Sequence, residues 1–442
     1  MKLFDTAGHA VSGANHESLA AFERAAHELR CFIGDPVASV EVALAASPEM
    51  TMAHVLKAYL HLLGTEPAGI AVARACHEAA RALPANDRER GHLEAVRLLT
   101  EGRWREAGRT LEDVSVAYPR DALALQVGHQ IDFFTGDSRM LRDRIARALP
   151  AWSRSIPGYH ALLGMHAFGL EETGDYAQAE KQGRACVELE RRDGWGWHAV
   201  AHVYEMRNRP RDGIAWMTRD SDAWSNESFF AVHNWWHLAL FQLELGQVEE
   251  VLRLFDGPIY GKRSNVVLDM IDASALLWRL QLRGADVGDR WRAVADNWAP
   301  IAGAGNYAFN DMHAMMAFVG SRRTDLQQAV LEAQRAALTG LGDNADFTRE
   351  VGHAATRAVH AFGAGDYAEC VRLLRPIRNI ANRFGGSHAQ RDLIDLTLIE
   401  AAFRAGDRGL AAALAAERSA VRPESPLARL FVARASGLAK AA

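Results

Sequence analysis

Ten turn signals recur along this chain at a nearly constant interval, a pattern that a single globular core does not produce. They fall at Gly64, Gly102, Gly136, Gly174, Asn208, Gly246, Gly284, Gly320, Gly365 and Gly406. Successive signals lie 34 to 45 residues apart, most of them 34 to 38. On either side of each, apolar residues recur at the spacing of one helix face. The period-two alternation of a half-buried strand is missing. The pattern predicts an all-α chain of about ten helix pairs. One pair cannot bury its apolar face alone, so neighbours stack into an α-solenoid with a continuous core. Ten pairs are enough to curve into a superhelix closed around a central pocket.

Composition fits that reading. The chain has 442 residues, of which 49% are hydrophobic, enough for a large core. A formal charge of -5 leaves no nucleic-acid footprint and no polybasic membrane patch. No apolar run of about 18 residues is present to span a bilayer. The opening Met1-Lys-Leu-Phe has no signal-peptide core, so a cytoplasmic protein is expected. Cys31, Cys76, Cys186 and Cys370 are far apart and form no C-x-x-C. They read as small buried hydrophobes. Residues 1–35 are expected to cap the array with a helix near Glu17–Cys31, residues 36–422 to form the repeats, and residues 423–442 to close it.

The best-formed unit contains Gly174-Asp-Tyr176-Ala-Gln-Ala179 and then Trp197, Ala201 and Tyr204. Small residues admit close helix approach, and the aromatics fill the gaps. This is the tetratricopeptide repeat (TPR) pattern, and Gly365-Asp-Tyr367 begins a second copy. In such pairs the first helix lines the concave surface. Twelve of the eighteen histidines fall on first helices.

Two words stand out: His198-Ala-Val-Ala-His202-Val-Tyr-Glu205 and His233-Asn-Trp-Trp-His237. Histidines at i and i+4 share one helix face. The two words start one repeat apart. Their helices can therefore stand side by side and aim four imidazoles and Glu205 at one volume. His129 lies on an earlier first helix. Asp272, Arg279, Asn310, Asp311 and His313 lie on later ones. Ser387 reads as an N-cap, followed by Gln390, Arg391 and Asp392, where an anion could meet free N–H groups and a guanidinium. Of Trp235 and Trp236, which cannot face the same way, Trp236 is the ligand-contact candidate.

These residue types support two kinds of chemistry. Histidine titrates near neutrality, and a carboxylate can fix its tautomer. Acid–base catalysis is therefore assigned to His202, Glu205, His233, His237, Asp272, Asp311 and His313. Neutral imidazoles also bind transition metals, and His198, His202, His233 and His237 are the candidate ligands of a divalent ion. The remaining polar positions (His129, His198, Trp236, Arg279, Asn310, Ser387, Gln390, Arg391, Asp392) would hold a small polar molecule. The leading expectation is an enzyme or enzyme-like binder, with hydrolysis as the favoured reaction. The other reading is a non-catalytic TPR scaffold whose groove takes a peptide or a partner protein. In that reading the histidines only hydrogen-bond between repeats.

The chain is similar to the tetratricopeptide repeat protein 38 family. The matching strings are Ala167-Phe-Gly-Leu-Glu-Glu-Thr173, Asp175-Tyr-Ala-Gln-Ala-Glu180, Val200-Ala-His-Val-Tyr-Glu-Met206, His233-Asn-Trp-Trp-His237 and Gly385-Gly-Ser387 with Ala389-Gln-Arg-Asp392. Agreement extends from near Asp5 to about Gly406, nearly the whole chain. The resemblance implies a TPR-like α-superhelix and supplies no catalytic residues.

Overall fold

Four Gly–Asp words each close one helix and open the next in the computed structural model, which describes residues 2–440. Gly136, Gly174, Gly365 and Gly406 sit at φ between 72° and 86°, the left-handed region where a Cβ is costly. The aspartate that follows accepts a backbone N–H from the first turn of the next helix. Asp137 takes that of Met140, Asp175 that of Gln178, Asp366 that of Glu369, and Asp407 that of Leu410. A cap of this kind contributes about 1 kcal/mol. Two expected turn glycines behave differently. At Gly64 and Gly320 the left-handed residue is Thr65 (φ 58°) and Arg322 (φ 59°). Gly320 serves packing instead, because a Cβ there would lie 2.3 Å from the Trp291 ring.

The fold is an all-α helical repeat. After a hairpin of two short strands, β1 (Leu3–Phe4) and β2 (Ala10–Val11), which the helical reading omitted, come α1 (His16–Cys31) and α2 (Pro36–Ala46). Helix pairs follow: α3 and α4 (Thr51–Leu62, Pro67–Ala80), α5 and α6 (Asp87–Thr100, Trp104–Ala117), α7 and α8 (Ala122–Thr135, Ser138–Ala148), α9 and α10 (Tyr159–Glu172, Tyr176–Leu189), α11 and α12 (Gly194–Met206, Pro210–Thr218). The short α13 (Ser221–Ser225) precedes α14 and α15 (Ala231–Glu244, Val248–Leu254). Then come α16 and α17 (Val267–Leu282, Arg290–Trp298), α18 and α19 (Ala308–Gly320, Thr324–Leu338), and the short α20 (Asp343–Phe347). The chain ends with α21 and α22 (His353–Gly363, Tyr367–Ile377), α23 and α24 (His388–Arg404, Arg408–Val421), and α25 (Pro426–Lys440). Among the described residues no helix is long and apolar enough to cross a membrane.

Two compact units divide the chain. One takes everything up to Val203 together with Asp220–Asn234; the other takes Tyr204–Arg219 and the chain from Trp235 onward. In both, first and second helices differ in burial. In the first unit α9 is buried from His160 through Glu172. In the second unit α18 is buried from Ala308 through Phe318. A helix covered on all sides must satisfy every polar side chain internally. Second helices bury only a stripe. On α8 it is Leu141, Arg144, Ile145 and Ala148, the 3.6-residue period of an outer layer. The concave face expected of the first helices is buried along α9 and α18.

Close packing makes single atoms matter. A Cβ on Gly169 would fall 2.4–2.5 Å from the backbone of Leu141 and Arg142 on α8. Backbone cannot rotate away as a side chain can. Gly169→Ala is therefore expected to lower stability by about 1–3 kcal/mol, read as a lower urea midpoint at unchanged slope.

Candidate functional site

α11 and α14 carry the two histidine words, and His198, His202 and His233, all in the first unit, come together. His198 and His202 stand one turn apart on α11, with ring centroids 4.4 Å apart. His233, near the start of α14, brings its Nε2 to 3.2 Å from the Nε2 of His198. Each of His198, His202 and His233 offers a ring nitrogen, and these atoms lie within 4.8 Å of one another. His237 follows His233 by one turn along α14 and belongs to the second unit. His198 and His202 are buried, while His233 keeps part of its surface open.

The surroundings are aromatic. Phe168 lies 5.3 Å from His198 and edge-on to His202 at 5.1 Å. Trp195 lies 4.7 Å from His198. Phe230 contacts both His198 and His233 at 5.1 Å. This collar keeps water away, so a charge placed there is felt strongly. One carboxylate enters it. Glu171, fully buried near the end of α9, has its Oε2 3.4 Å from Nδ1 of His202. That contact turns the other ring nitrogen of His202 away from Glu171.

The spacing suits an ion. Two nitrogens held about 2.0–2.1 Å from one zinc, at angles between square and tetrahedral, lie about 2.9–3.4 Å apart. The 3.2 Å between His198 and His233 is in that range. Ring nitrogens gathered this closely suit a borderline-soft cation.

Glu205 belongs to the second unit. Its carboxylate pairs with Arg422 at 3.2 Å. Arg279, Asp392 and Arg418 belong to the same unit as that pair. Asp392 receives two bonds from Arg418, at 2.8 and 3.0 Å, and Arg279 stands 4.0 Å away. The guanidinium of Arg279 donates to the Ala389 carbonyl and lies 5.7 Å over the Trp236 ring. Ser387 and Gln390 cap each other across the first turn of α23, and Arg391 donates to the Gly386 carbonyl. The N–H groups of Ser387 and Gln390, expected to face an anion, are thus taken by this capping box. Trp236 is fully buried, as are Asp272 and Asn310.

Asp311 points away from its sequence neighbour His313. Its Oδ2 accepts from Gln334 at 3.2 Å, and Gln334 also donates to Thr356. Burial pushes the Asp311 carboxyl up to about 7. His313 donates Nδ1–H to the Phe309 carbonyl at 2.8 Å, and burial holds its pKa down to about 4. His129 lies in the other unit, edge-on to Phe168 and Trp195. Burial first, and the Arg144 charge second, hold it down to about 3.

Neutral buried histidines make a pH prediction. The unfolded chain takes up protons near 6.5, and the folded chain resists until pH 3 to 4. The unfolded state thus binds more protons in this window, so stability is lost as pH falls below 6.5. Each of His129 and His313 is expected to remove about 2 kcal/mol between pH 7 and pH 5. Asp311 acts with the opposite sign, since its raised pKa means stability lost as pH rises from about 4 to 7. His129→Leu should reduce the acid-side slope of stability against pH by one proton, measured by urea unfolding at several pH values. An unchanged slope would mean that His129 is already protonated in the fold.

Five residues escaped the sequence reading: Glu171, His160, Asp193, Cys31 and His27. The last four form a separate cluster on α1, α9 and the start of α11. No family model matches the chain.

Proposed function

We propose that this chain is a metal-dependent enzyme of hydrolytic type, acting on a small polar molecule, with a divalent ion held by His198, His202 and His233. Three imidazoles form the ligand set of hydrolytic zinc sites, which keep one position open for water or substrate. The partly exposed edge of His233 supports an opening on that side. The observation that carries the reading is the convergence of three ring nitrogens within 4.8 Å inside an aromatic collar. Glu171 would orient His202 and raise its basicity, the usual role of a carboxylate behind a metal-bound imidazole. The ion would supply a bound water of lowered pKa.

The TPR reading stands beside this as a proposal about family. It is supported by the Gly174 and Gly365 words, each of which places a left-handed glycine and a capping aspartate before a second helix. The deciding experiment measures zinc retained by the purified chain after gel filtration, together with hydrolysis of nitrophenyl ester and phosphate probes before and after chelation. At least one equivalent of metal with chelator-sensitive turnover is expected. A chain that binds no zinc at micromolar concentration returns the histidines to simple hydrogen bonding between repeats.

A further inference from the structure

α1 carries His27 and Cys31 one turn apart, and the three-histidine cluster uses neither. Helix spacing puts both on one face. α9 brings His160 to that face. His27, Cys31 and His160 each offer a ligand atom within 4.8 Å of the others. Cys31 Sγ lies 3.9 Å from His27 Nδ1. A thiolate and an imidazole sharing a tetrahedral zinc are separated by about 3.6 Å, so an adjustment of a few tenths of an ångström would close the pair on an ion.

His160 is not a loosely packed core histidine. Asp193, fully buried ahead of α11, places Oδ2 2.6 Å from His160 Nδ1. Its Oδ1 accepts the Gly196 N–H at 3.0 Å. Both carboxylate oxygens are therefore tied down, one to the helix start and one to the imidazole. With Nδ1 held by the carboxylate, Nε2 is the nitrogen left to face an ion. A buried carboxylate that fixes a histidine tautomer is the usual support behind a metal ligand. Cys186 joins Asp193 and His160 in a second such group.

We infer that His27, Cys31 and His160 form a second metal site, for a zinc-class divalent ion, separate from the three-histidine cluster. The ligand set is one thiolate and two imidazoles, and soft sulfur with nitrogen selects zinc over magnesium or calcium. Burial first, then Asp193 and Glu190, push the Cys31 thiol up against the pull of Arg30 and Arg192. The ion itself would hold the sulfur as thiolate, since a coordinating thiol is deprotonated. His27 is partly exposed, which leaves an entry path and a position for water. The same placement makes Cys31 a metal-protected thiol.

Cobalt alone tests the inference, because only a thiolate ligand gives the strong near-ultraviolet sulfur-to-cobalt absorption. The full-length chain, stripped by chelator, is titrated with cobalt. The sulfur band is expected to saturate at one equivalent per chain. Cys31→Ala should lose it. Cys370→Ala and His202→Ala should keep it, since neither residue belongs to this site. Should Cys31→Ala fail to fold, the partly exposed His27→Ala takes its place and should weaken cobalt binding at this band by at least about 10-fold. Cobalt bound with an imidazole-only spectrum, or a sulfur band that survives Cys31→Ala, overturns the inference. A band lost in His202→Ala makes the two sites one and overturns it equally. Failure here leaves the three-histidine centre untouched, because that centre holds no sulfur.

Discussion

His202→Ala is expected to cost the chain its first equivalent of zinc, with a fall in affinity of more than about 100-fold. The bound rests on the weaker case. Losing only an outer partner of a metal-bound histidine costs about 10- to 100-fold, and His202 would be a direct ligand. Glu171→Gln keeps the shape of the side chain and removes its charge. It should fall in that intermediate range, about 10- to 100-fold, because the amide orients the imidazole less strongly. His233→Ala separates binding from folding. His233 is partly exposed, so its removal opens little core, yet it should lower zinc affinity as His202→Ala does. Calorimetric titration with zinc on the three variants, with helical content followed by circular dichroism, supplies the test. Equal zinc affinity in the wild type and His233→Ala would remove the three-histidine site from consideration. Metal should also stabilise the fold, by about 2.7 kcal/mol when free zinc is 100 times the dissociation constant.

Asp132→Ala is expected to be the most damaging substitution to stability, at about 3–5 kcal/mol. Arg144 is buried beneath α7, and its Nε and Nη2 donate to the two carboxylate oxygens of Asp132 at 2.7 and 2.9 Å. Nη2 also donates to the Gly108 carbonyl at 3.1 Å. Gly128 makes the room, since a Cβ there would lie 2.7 Å from the guanidinium. Removing the carboxylate leaves a buried cation with one carbonyl for company. A loss of this size is a large part of the about 5–15 kcal/mol that holds a typical protein folded. The paired change Asp132→Leu with Arg144→Met removes both charges and should recover much of the loss, since buried ion pairs are often matched by apolar groups of similar volume. Urea unfolding of the single and double variants reads the difference. A single-variant cost under about 1 kcal/mol would place the pair in the class of solvent-exposed ion pairs.

Much of this molecule is legible before any coordinates. A helix repeats every 3.6 residues, so apolar spacing marks the pairs directly. Glycine before aspartate at Gly136, Gly174, Gly365 and Gly406 marks turns, because one residue adopts left-handed backbone and the next caps a helix. The histidine pairs His198 with His202 and His233 with His237 are local features for the same reason. Ser387 reads as an N-cap, and the structure spends Gln390, read as a ligand contact, on the same capping box.

Other features lie beyond any local pattern. Glu205 is three residues from His202 and was its natural partner on one helix face, yet it pairs with Arg422, more than two hundred residues away. Glu171, which does reach His202, stands a full repeat earlier in an apolar stretch that gives no hint of a ligand. Cys31 reads as an isolated small hydrophobe until α9 brings His160 to it across 129 positions. Helix periodicity fixes which residues share a face, and nothing about which faces meet. That second choice depends on the packing of whole helices, where the removal of apolar surface from water outweighs the preference of any one polar side chain. The sequence by itself therefore determined the helices, their pairing and the two histidine words. Only tertiary packing decided that His198, His202 and His233 share one volume, that Glu171 and not Glu205 stands behind His202, and that a thiol and two imidazoles gather at α1.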